Sequence, residues 1–199
     1  MKKLIVTLLC LLALVGCSSK NTTPAPDAPA AQQPSATEQA PADAAKEEPI
    51  ALGSFEAQTL EGETLTQDVF ANADLTVLNM WATFCNPCKK EMPVLQALDQ
   101  EYENVQVVGV VTDAIDQKGQ PDPEQLDVAK ALCEAAGVTY PNMILNQSLA
   151  QIGLASMEAV PATLFVDSNG NLVGQGFYGA LDEAGWRAEI QARLEMVSK

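Results

Sequence analysis

The feature that most constrains the fold is a Cys-x-x-Cys motif, Cys85 to Cys88, between an apolar run and a helix-forming stretch. The run 75–82 has the length of a buried strand, and 89–102 has helical periodicity. The first sulfur is then expected at the N-terminus of a helix, where unpaired N–H groups and the helix dipole favour a thiolate. The second sulfur follows about one turn deeper on the same face. The motif therefore predicts a dithiol that cycles with a disulfide.

Other uses of a Cys-x-x-Cys motif fit this chain less well. A zinc site needs four ligands, but the chain has no histidine, and its other cysteines are Cys10, Cys17 and Cys133. Covalent haem attachment requires a histidine where Lys89 stands. A purely structural disulfide would close so short a loop that it would stabilise little. The sequence therefore predicts redox chemistry with no metal and no organic cofactor.

The N-terminus has the pattern of an export signal. Residues 1–3 are basic, and the apolar run 4–15 is too short to span a bilayer. The run ends at residues 14–17, Leu-Val-Gly-Cys, which resemble the cleavage site of bacterial lipoproteins. That resemblance implies removal of residues 1–16 and attachment of lipid to Cys17. An ordinary secretory signal followed by an incidental cysteine is the alternative.

Residues 17–49 are predicted to be the lipidated cysteine followed by a disordered Ala/Pro-rich linker. The linker holds half of the chain's twelve prolines and no aromatic residue, so it cannot bury enough apolar surface to offset its ordering entropy. As a flexible coil it would span about 30 Å. Residues 50–199 are of a length that suits one globular domain. We therefore expect a domain tethered to the extracytoplasmic face of a bacterial membrane.

The chain is strongly acidic. Its formal net charge is −15, which becomes −17 once Lys2 and Lys3 leave with the signal. Nucleic acid is an unsuitable partner because phosphates would meet no basic face. The same charge should repel anionic lipid head groups and keep the domain away from the membrane surface.

Within 50–199 strands alternate with helices. This order predicts an α/β fold, with a mixed central β-sheet flanked by helices and an N-terminal β-hairpin. The predicted strands are 75–81, 105–111 and a short run at 141–145. The predicted helices are 89–102 with a kink at Pro93, 123–136, 147–152 and 181–196. The predicted hairpins pair 55–60 with 63–66 and 163–166 with 172–177.

Two separated segments carry a resemblance to a known family. Residues 79–93 read Asn-Met-Trp-Ala-Thr-Phe-Cys-Asn-Pro-Cys-Lys-Lys-Glu-Met-Pro, and 159–165 read Ala-Val-Pro-Ala-Thr-Leu-Phe. From residue 52 to the C-terminus the chain resembles thioredoxin-fold proteins, more narrowly the TlpA/ResA-like branch of extracytoplasmic thiol–disulfide oxidoreductases. The resemblance implies a thioredoxin-like fold. It also implies that Cys85 attacks substrate and Cys88 resolves the mixed disulfide, the pair forming the Cys85–Cys88 disulfide in the oxidised protein.

The resemblance also assigns the surroundings of the dithiol. Val160 and Pro161 match the family's cis-proline, which lies beside the dithiol and presents backbone groups to the substrate. Trp81 is placed with them as a residue at the substrate site, more as packing than as catalyst.

Thioredoxins proper carry a buried aspartate where this chain has Asn79. Glu91 is the expected substitute, because it follows Cys88 by three residues and faces the same way on the helix. A carboxylate there would disfavour the thiolates or relay the proton of Cys88. The alternative is a solvated helix residue that pairs with neighbouring lysines.

The resulting functional hypothesis is a membrane-tethered enzyme that reduces disulfides in exported proteins, such as apocytochrome c. A CcdA/DsbD-type membrane protein would supply its electrons. Two alternatives remain open: an electron donor to an exported methionine sulfoxide reductase or peroxidase, and a non-catalytic binding module. A peroxiredoxin is disfavoured because its peroxidatic cysteine lies three residues after a threonine, whereas Thr83 stands two residues before Cys85.

Cys133 lies on an apolar helix face and is expected to pack in the core, with a third redox thiol as the alternative.

Overall fold

The computed structural model describes residues 49–198, which belong to a single compact unit. The predictions for the signal peptide 1–16, for Cys17 and for the linker up to residue 48 lie outside these residues. Among the residues that are described, no helix combines the length and apolar character needed to cross a bilayer.

Seven strands, four α-helices and two short 3-10 helices form the described part of the chain. The strands are β1 (Glu56–Gln58), β2 (Thr64–Thr66), β3 (Leu75–Trp81), β4 (Val105–Val111), β5 (Asn142–Ile144), β6 (Ala162–Asp167) and β7 (Phe177–Tyr178). The helices are α1 (Asn86–Glu101), α2 (Pro123–Ala136), α3 (Gln147–Gln151) and α4 (Glu183–Val197), with 3-10 helices at Gln67–Asn72 and Leu154–Ser156.

The central sheet is mixed, as the sequence predicts. Its strand order is β5-β4-β3-β6-β7, in which β3, β4 and β5 are parallel while β6 and β7 run antiparallel to their neighbours. Strands β1 and β2 form the separate N-terminal hairpin. The thioredoxin-like fold with its additional hairpin is therefore confirmed.

Strand β3 lies at the centre, and all of its residues are buried. Its alternating side chains contribute to apolar clusters on opposite faces of the sheet. Leu75, Val77 and Trp81 pack on the side that carries α1, α2 and α4. Leu78 and Met80 pack on the side covered by the N-terminal hairpin and α3. Residue 81 ends the strand, so the Cys-x-x-Cys motif begins at the carboxyl edge of the sheet.

Helix ends follow the capping signals of the sequence. Cys85 is the N-cap of α1, and the helix continues through Pro93 to Glu101. Asp182 caps α4 by accepting a hydrogen bond from the Gly185 N–H at 2.8 Å. Gly137 ends α2 in the left-handed conformation that favours glycine.

The predicted hairpin strand at 172–177 is wrong in part. Leu172 pairs with Val166, and the Val173 N–H still donates to the Phe165 carbonyl at 2.8 Å. Residues 174–176 then leave the ladder before Phe177 pairs with Thr163. Gly174 adopts a φ of +66°, and a Cβ on Gly176 would lie 2.5 Å from the Thr163 carbonyl oxygen. These two glycines interrupt the strand because each occupies a backbone position that a side chain would disturb.

Candidate active site

Cys85 and Cys88 form a disulfide at the start of α1. Cys85 has extended backbone geometry as the N-cap, and its Sγ accepts a hydrogen bond from the Cys88 backbone N–H at 3.2 Å. Pro87 occupies the first turn, where its missing N–H leaves no helix bond unmade. The sulfur of Cys85 therefore faces the unpaired N–H groups of a helix, which stabilise negative charge.

The two cysteines differ in solvent exposure. Cys85 retains 5% of its accessible surface and Cys88 retains none. A substrate sulfur approaching the site therefore reaches Cys85 first. The attacking role that the family resemblance implies for Cys85 requires this exposure, and it stays a prediction.

The Val160–Pro161 peptide bond is cis. Val160 packs against the apolar cluster that contains both cysteines, and the Pro161 carbonyl accepts a hydrogen bond from the Gly179 N–H at 2.8 Å. A groove of about 410 Å³ opens beside this segment, lined by Phe84, Met157 and Val160 among others. Phe84, which immediately precedes Cys85, is 73% exposed. The dithiol thus borders an open apolar groove.

Trp81 lies beneath this surface rather than on it. Its side chain is fully buried in the cluster with both cysteines, and its Nε1 donates a hydrogen bond to Asn142 Oδ1 at 2.8 Å. Sequence reasoning placed Trp81 with Val160 and Pro161 at the substrate site. The geometry brings it close to the dithiol but not to the surface that a substrate would meet.

Glu91 is buried on α1, with an exposed fraction of 2%. Its Oε1 accepts a hydrogen bond from Asn79 Nδ2 at 3.1 Å, and the same amide donates to Thr163 Oγ1 at 3.3 Å. Its Oε2 has no hydrogen-bond partner. Glu91 is therefore not the solvated helix residue of the alternative interpretation.

Burial raises the pKa of Glu91 from 4.5 to about 7. The hydrogen bond from Asn79 opposes this effect by lowering the pKa, and weaker interactions with the Leu181 backbone and the Trp186 indole act in the same direction. Neither of the weaker interactions has the geometry of a full hydrogen bond. A carboxyl group with this pKa can take up and release a proton near neutral pH.

Cys133 is a buried free cysteine on α2, 6% exposed. Burial, with a smaller contribution from the nearby charge of Glu61, raises the pKa of its thiol to about 12. The thiol therefore stays protonated at neutral pH. Among the described residues, no group of three or more His, Cys, Asp or Glu side chains is arranged to hold a metal ion.

Sequence reasoning missed a polar cluster around the loop between β3 and α1. Thr83 lies in this loop, and its backbone N–H and hydroxyl both donate to the carboxylate of Asp113, which follows β4. The available signal was topological. Parallel strands β3 and β4 end at the same edge of the sheet, so the residues after them meet there.

Comparison with known proteins relates the chain to thiol–disulfide exchange. The model of the AhpC/TSA family matches residues 51–175. The thiol:disulfide interchange protein DsbE of Pseudomonas fluorescens biotype C is 31% identical over 149 residues, which cover 71% of this chain and 72% of the relative. The thiol-disulfide oxidoreductase ResA of Halalkalibacterium halodurans is 25% identical over 122 residues, 60% of this chain. That match spans 62% of the ResA relative, less than two-thirds of its length.

Among solved structures, a thioredoxin-family thiol:disulfide interchange protein from Chlorobium tepidum TLS superposes with a TM-score of 0.62. The match covers 75% of this chain and 99% of that one at 20% sequence identity. At this identity the likeness shows the shared fold.

Proposed function

The chain belongs to the AhpC/TSA family, and we propose that it is a membrane-tethered reductase of disulfides in exported proteins. Its enzyme class is thiol–disulfide oxidoreductase of the DsbE/ResA type. The observation that carries the proposal is the Cys85–Cys88 disulfide at the start of α1, where only Cys85 retains exposure.

The reaction begins from the reduced dithiol. The Cys85 thiolate attacks one sulfur of a client disulfide, a Cys85–client disulfide forms, and the other client sulfur leaves as a thiolate that takes a proton from solvent. The Cys88 sulfur, having lost its proton, then attacks Cys85 Sγ and releases the second client thiolate. Two electrons pass to the client, and the Cys85–Cys88 disulfide is formed.

Glu91 is proposed to receive the proton that Cys88 loses in the second step. It follows Cys88 by three residues on α1, and both side chains are buried. Water has little access to Cys88, so a nearby carboxylate with a pKa of about 7 is a suitable acceptor at neutral pH. The proton then leaves Glu91 before the next cycle.

The client is proposed to bind as an extended segment across Val160 and Pro161. Backbone groups of this segment would fix the client chain, while Phe84 and Val160 offer apolar contact in the adjoining groove. Trp81 supports the site from below through its hydrogen bond to Asn142.

The tether and the electron source complete the proposal. Residues 1–16 are proposed as a signal peptide, Cys17 as the lipidated residue, 18–49 as a flexible linker and 50–199 as the catalytic domain. Each cycle oxidises the Cys85–Cys88 dithiol to a disulfide, so an external electron donor must reduce this disulfide before the next cycle. A CcdA/DsbD-type membrane protein fits this need at the extracytoplasmic face, with apocytochrome c among the clients.

A Cys88→Ser variant of the full chain tests the proposed reaction. It can form the Cys85–client disulfide but cannot resolve it, so we expect covalent complexes with exported, cysteine-containing proteins. These complexes should dissociate in dithiothreitol. A matched Cys85→Ser/Cys88→Ser variant should capture none. If the Cys88→Ser variant captured no protein, the result would favour a binding module over an enzyme.

Equilibration with glutathione buffers tests the direction of the reaction. A reductase should have a potential well below that of strong oxidants such as DsbA, which is about −120 mV. A value near that of DsbA would reverse the assigned direction.

The tether is tested separately, because Cys17→Ala should abolish incorporation of labelled fatty acid and move the protein out of the membrane fraction.

A further inference from the structure

We propose that Asp113 is a positioning residue that holds Cys85 at the N-terminus of α1 when the disulfide is reduced. This inference rests on the proposed function, since it concerns the reduced state from which the reaction starts. It assigns a role in the redox cycle to a carboxylate outside the Cys-x-x-Cys motif.

The contact between Asp113 and Thr83 is geometrically well defined. The two carboxylate oxygens of Asp113 each lie 3.0 Å from the Thr83 backbone nitrogen. The Thr83 hydroxyl donates to Asp113 Oδ2 at 2.6 Å. Hydrogen bonds to an ionised acceptor are shorter and stronger than neutral ones, so this pair is a firm link between the two strand ends.

Other elements hold the same loop. Lys89 Nζ on α1 donates to the Thr83 carbonyl at 3.3 Å, and Gln125 Oε1 on α2 lies 3.2 Å from the Thr83 hydroxyl. The Cys85 backbone N–H donates to the Ala82 carbonyl at 3.0 Å. The one hydroxyl proton of Thr83 goes to the nearer acceptor, Asp113, so Asp113 and Lys89 are the two groups that hold Thr83, two residues before Cys85.

This link matters most after reduction. In the oxidised protein the S–S bond itself ties Cys85 to α1. Two electrons and two protons convert it to a pair of thiols, and that tie disappears. The hydrogen bond from the Cys88 N–H to Cys85 Sγ then depends on the backbone geometry of the N-cap, which the loop at Thr83 holds in place. The same loop fixes Phe84 at the rim of the groove.

Positioning and charge predict opposite effects of removing Asp113. A carboxylate close to the site disfavours a thiolate, so a role through charge alone would make Cys85 more reactive in Asp113→Ala. Loss of positioning would make Cys85 less reactive, because its sulfur would no longer meet the helix N–H groups. Asp113→Asn separates the two effects, since it removes the charge and retains an oxygen that can accept from the Thr83 N–H.

The test measures iodoacetamide alkylation of Cys85 in the reduced full chain from pH 5 to 9, with peptides mapped by mass spectrometry. For Asp113→Ala we expect about tenfold slower alkylation at pH 7 and a profile midpoint about one pH unit higher, the effect of losing hydrogen bonds worth on the order of 1–2 kcal/mol. Asp113→Asn should stay within about twofold of wild type. Asp127→Ala, which removes an exposed carboxylate from α2, is the matched control and should change nothing.

Three outcomes would overturn the proposal. Cys85 could be alkylated at the same rate in Asp113→Ala as in wild type, it could be alkylated faster in Asp113→Ala, or the alanine and asparagine variants could show the same alkylation rate. If Asp113→Ala does not fold, Thr83→Val tests the same link by removing only the hydroxyl donor, and about threefold slower alkylation is expected. No slowing in Thr83→Val would then overturn the proposal. Client capture by Cys88→Ser is a separate readout. If Cys88→Ser captures clients but Asp113→Ala leaves Cys85 alkylation unchanged, only the positioning role is refuted. If Asp113→Ala slows alkylation but Cys88→Ser captures no client, the proposed function is refuted.

Discussion

Cys85 and Cys133 lie in the same apolar cluster and have almost the same exposed fraction, 5% and 6%. Their surroundings are nevertheless opposite in chemical effect. Cys85 caps the N-terminus of α1 and its sulfur accepts a backbone N–H. Cys133 lies within α2, where burial and the charge of Glu61 raise its thiol pKa to about 12. Similar exposed fractions therefore do not make the two thiols alike: a place at the N-terminus of a helix favours a thiolate at Cys85, whereas Cys133 has no such place and stays protonated.

The largest expected effect is the difference in activity between a variant that lacks the Cys85 thiol and one that lacks the Cys133 thiol. Cys85→Ser should lower the rate of client disulfide reduction by at least about a thousandfold, because no other accessible thiolate can start the exchange. Cys133→Ala should retain activity within about twofold, because its thiol takes no part in the exchange. The measurement is the turnover of a disulfide-containing peptide under excess reductant. Substantial loss of activity in Cys133→Ala would place a third thiol in the cycle.

A second contrast concerns the buried carboxyl near the Cys85–Cys88 pair. Because the pKa of Glu91 is raised to about 7, the folded protein keeps a proton that the unfolded chain releases between about pH 4.5 and 7. The stabilisation is full below pH 4.5 and is lost as the pH rises through 7. At pH 8, Glu91→Gln should therefore be more stable than wild type by up to about 3 kcal/mol.

Denaturant unfolding of the oxidised proteins at pH 4.5 and pH 8 measures this effect. The difference between wild type and Glu91→Gln isolates Glu91 from the other carboxyl groups, whose contributions are shared by both proteins. Identical pH dependence in the two proteins would mean that Glu91 is ionised in the folded state without cost.

The smallest effect is expected at Cys133. Cys133→Ala leaves a cavity smaller than one methyl-sized group and should cost about 1 kcal/mol of unfolding free energy. Cys133→Ser should cost more, because it buries a hydroxyl among apolar side chains. Thermal or denaturant unfolding orders the two variants. A serine variant as stable as wild type would indicate that Cys133 is more accessible than its packing suggests.

Local patterns of the sequence predict much of this fold. The buried strands β3 and β4 and the capped helix α2 have the bounds expected from apolar runs, proline and glycine. The interrupted hairpin strand at 172–177 was harder to predict. Gly176 lies against the Thr163 carbonyl and Gly174 has a positive φ, and the local sequence reveals neither.

The candidate site divides in the same way. The Cys-x-x-Cys motif identifies Cys85 and Cys88, and helical spacing places Glu91 near the pair. The cis bond before Pro161 was expected only from the family resemblance. The Thr83–Asp113 link joins residues thirty positions apart and depends on parallel pairing of β3 and β4. The indole N–H of the buried Trp81 likewise finds its partner far along the chain, in Asn142 on β5. Contacts of this kind require the topology before they can be predicted.

The most direct test of the account is a time course of alkylation in the reduced wild-type protein at pH 7, with Cys85 and Cys133 quantified separately. We expect Cys85 to react at least about a hundredfold faster, and Cys133 to react readily only after unfolding in denaturant. Equal rates at the two positions, or a Cys85 that reacts only after unfolding, would contradict the claim that its place at the start of α1 makes it the attacking sulfur.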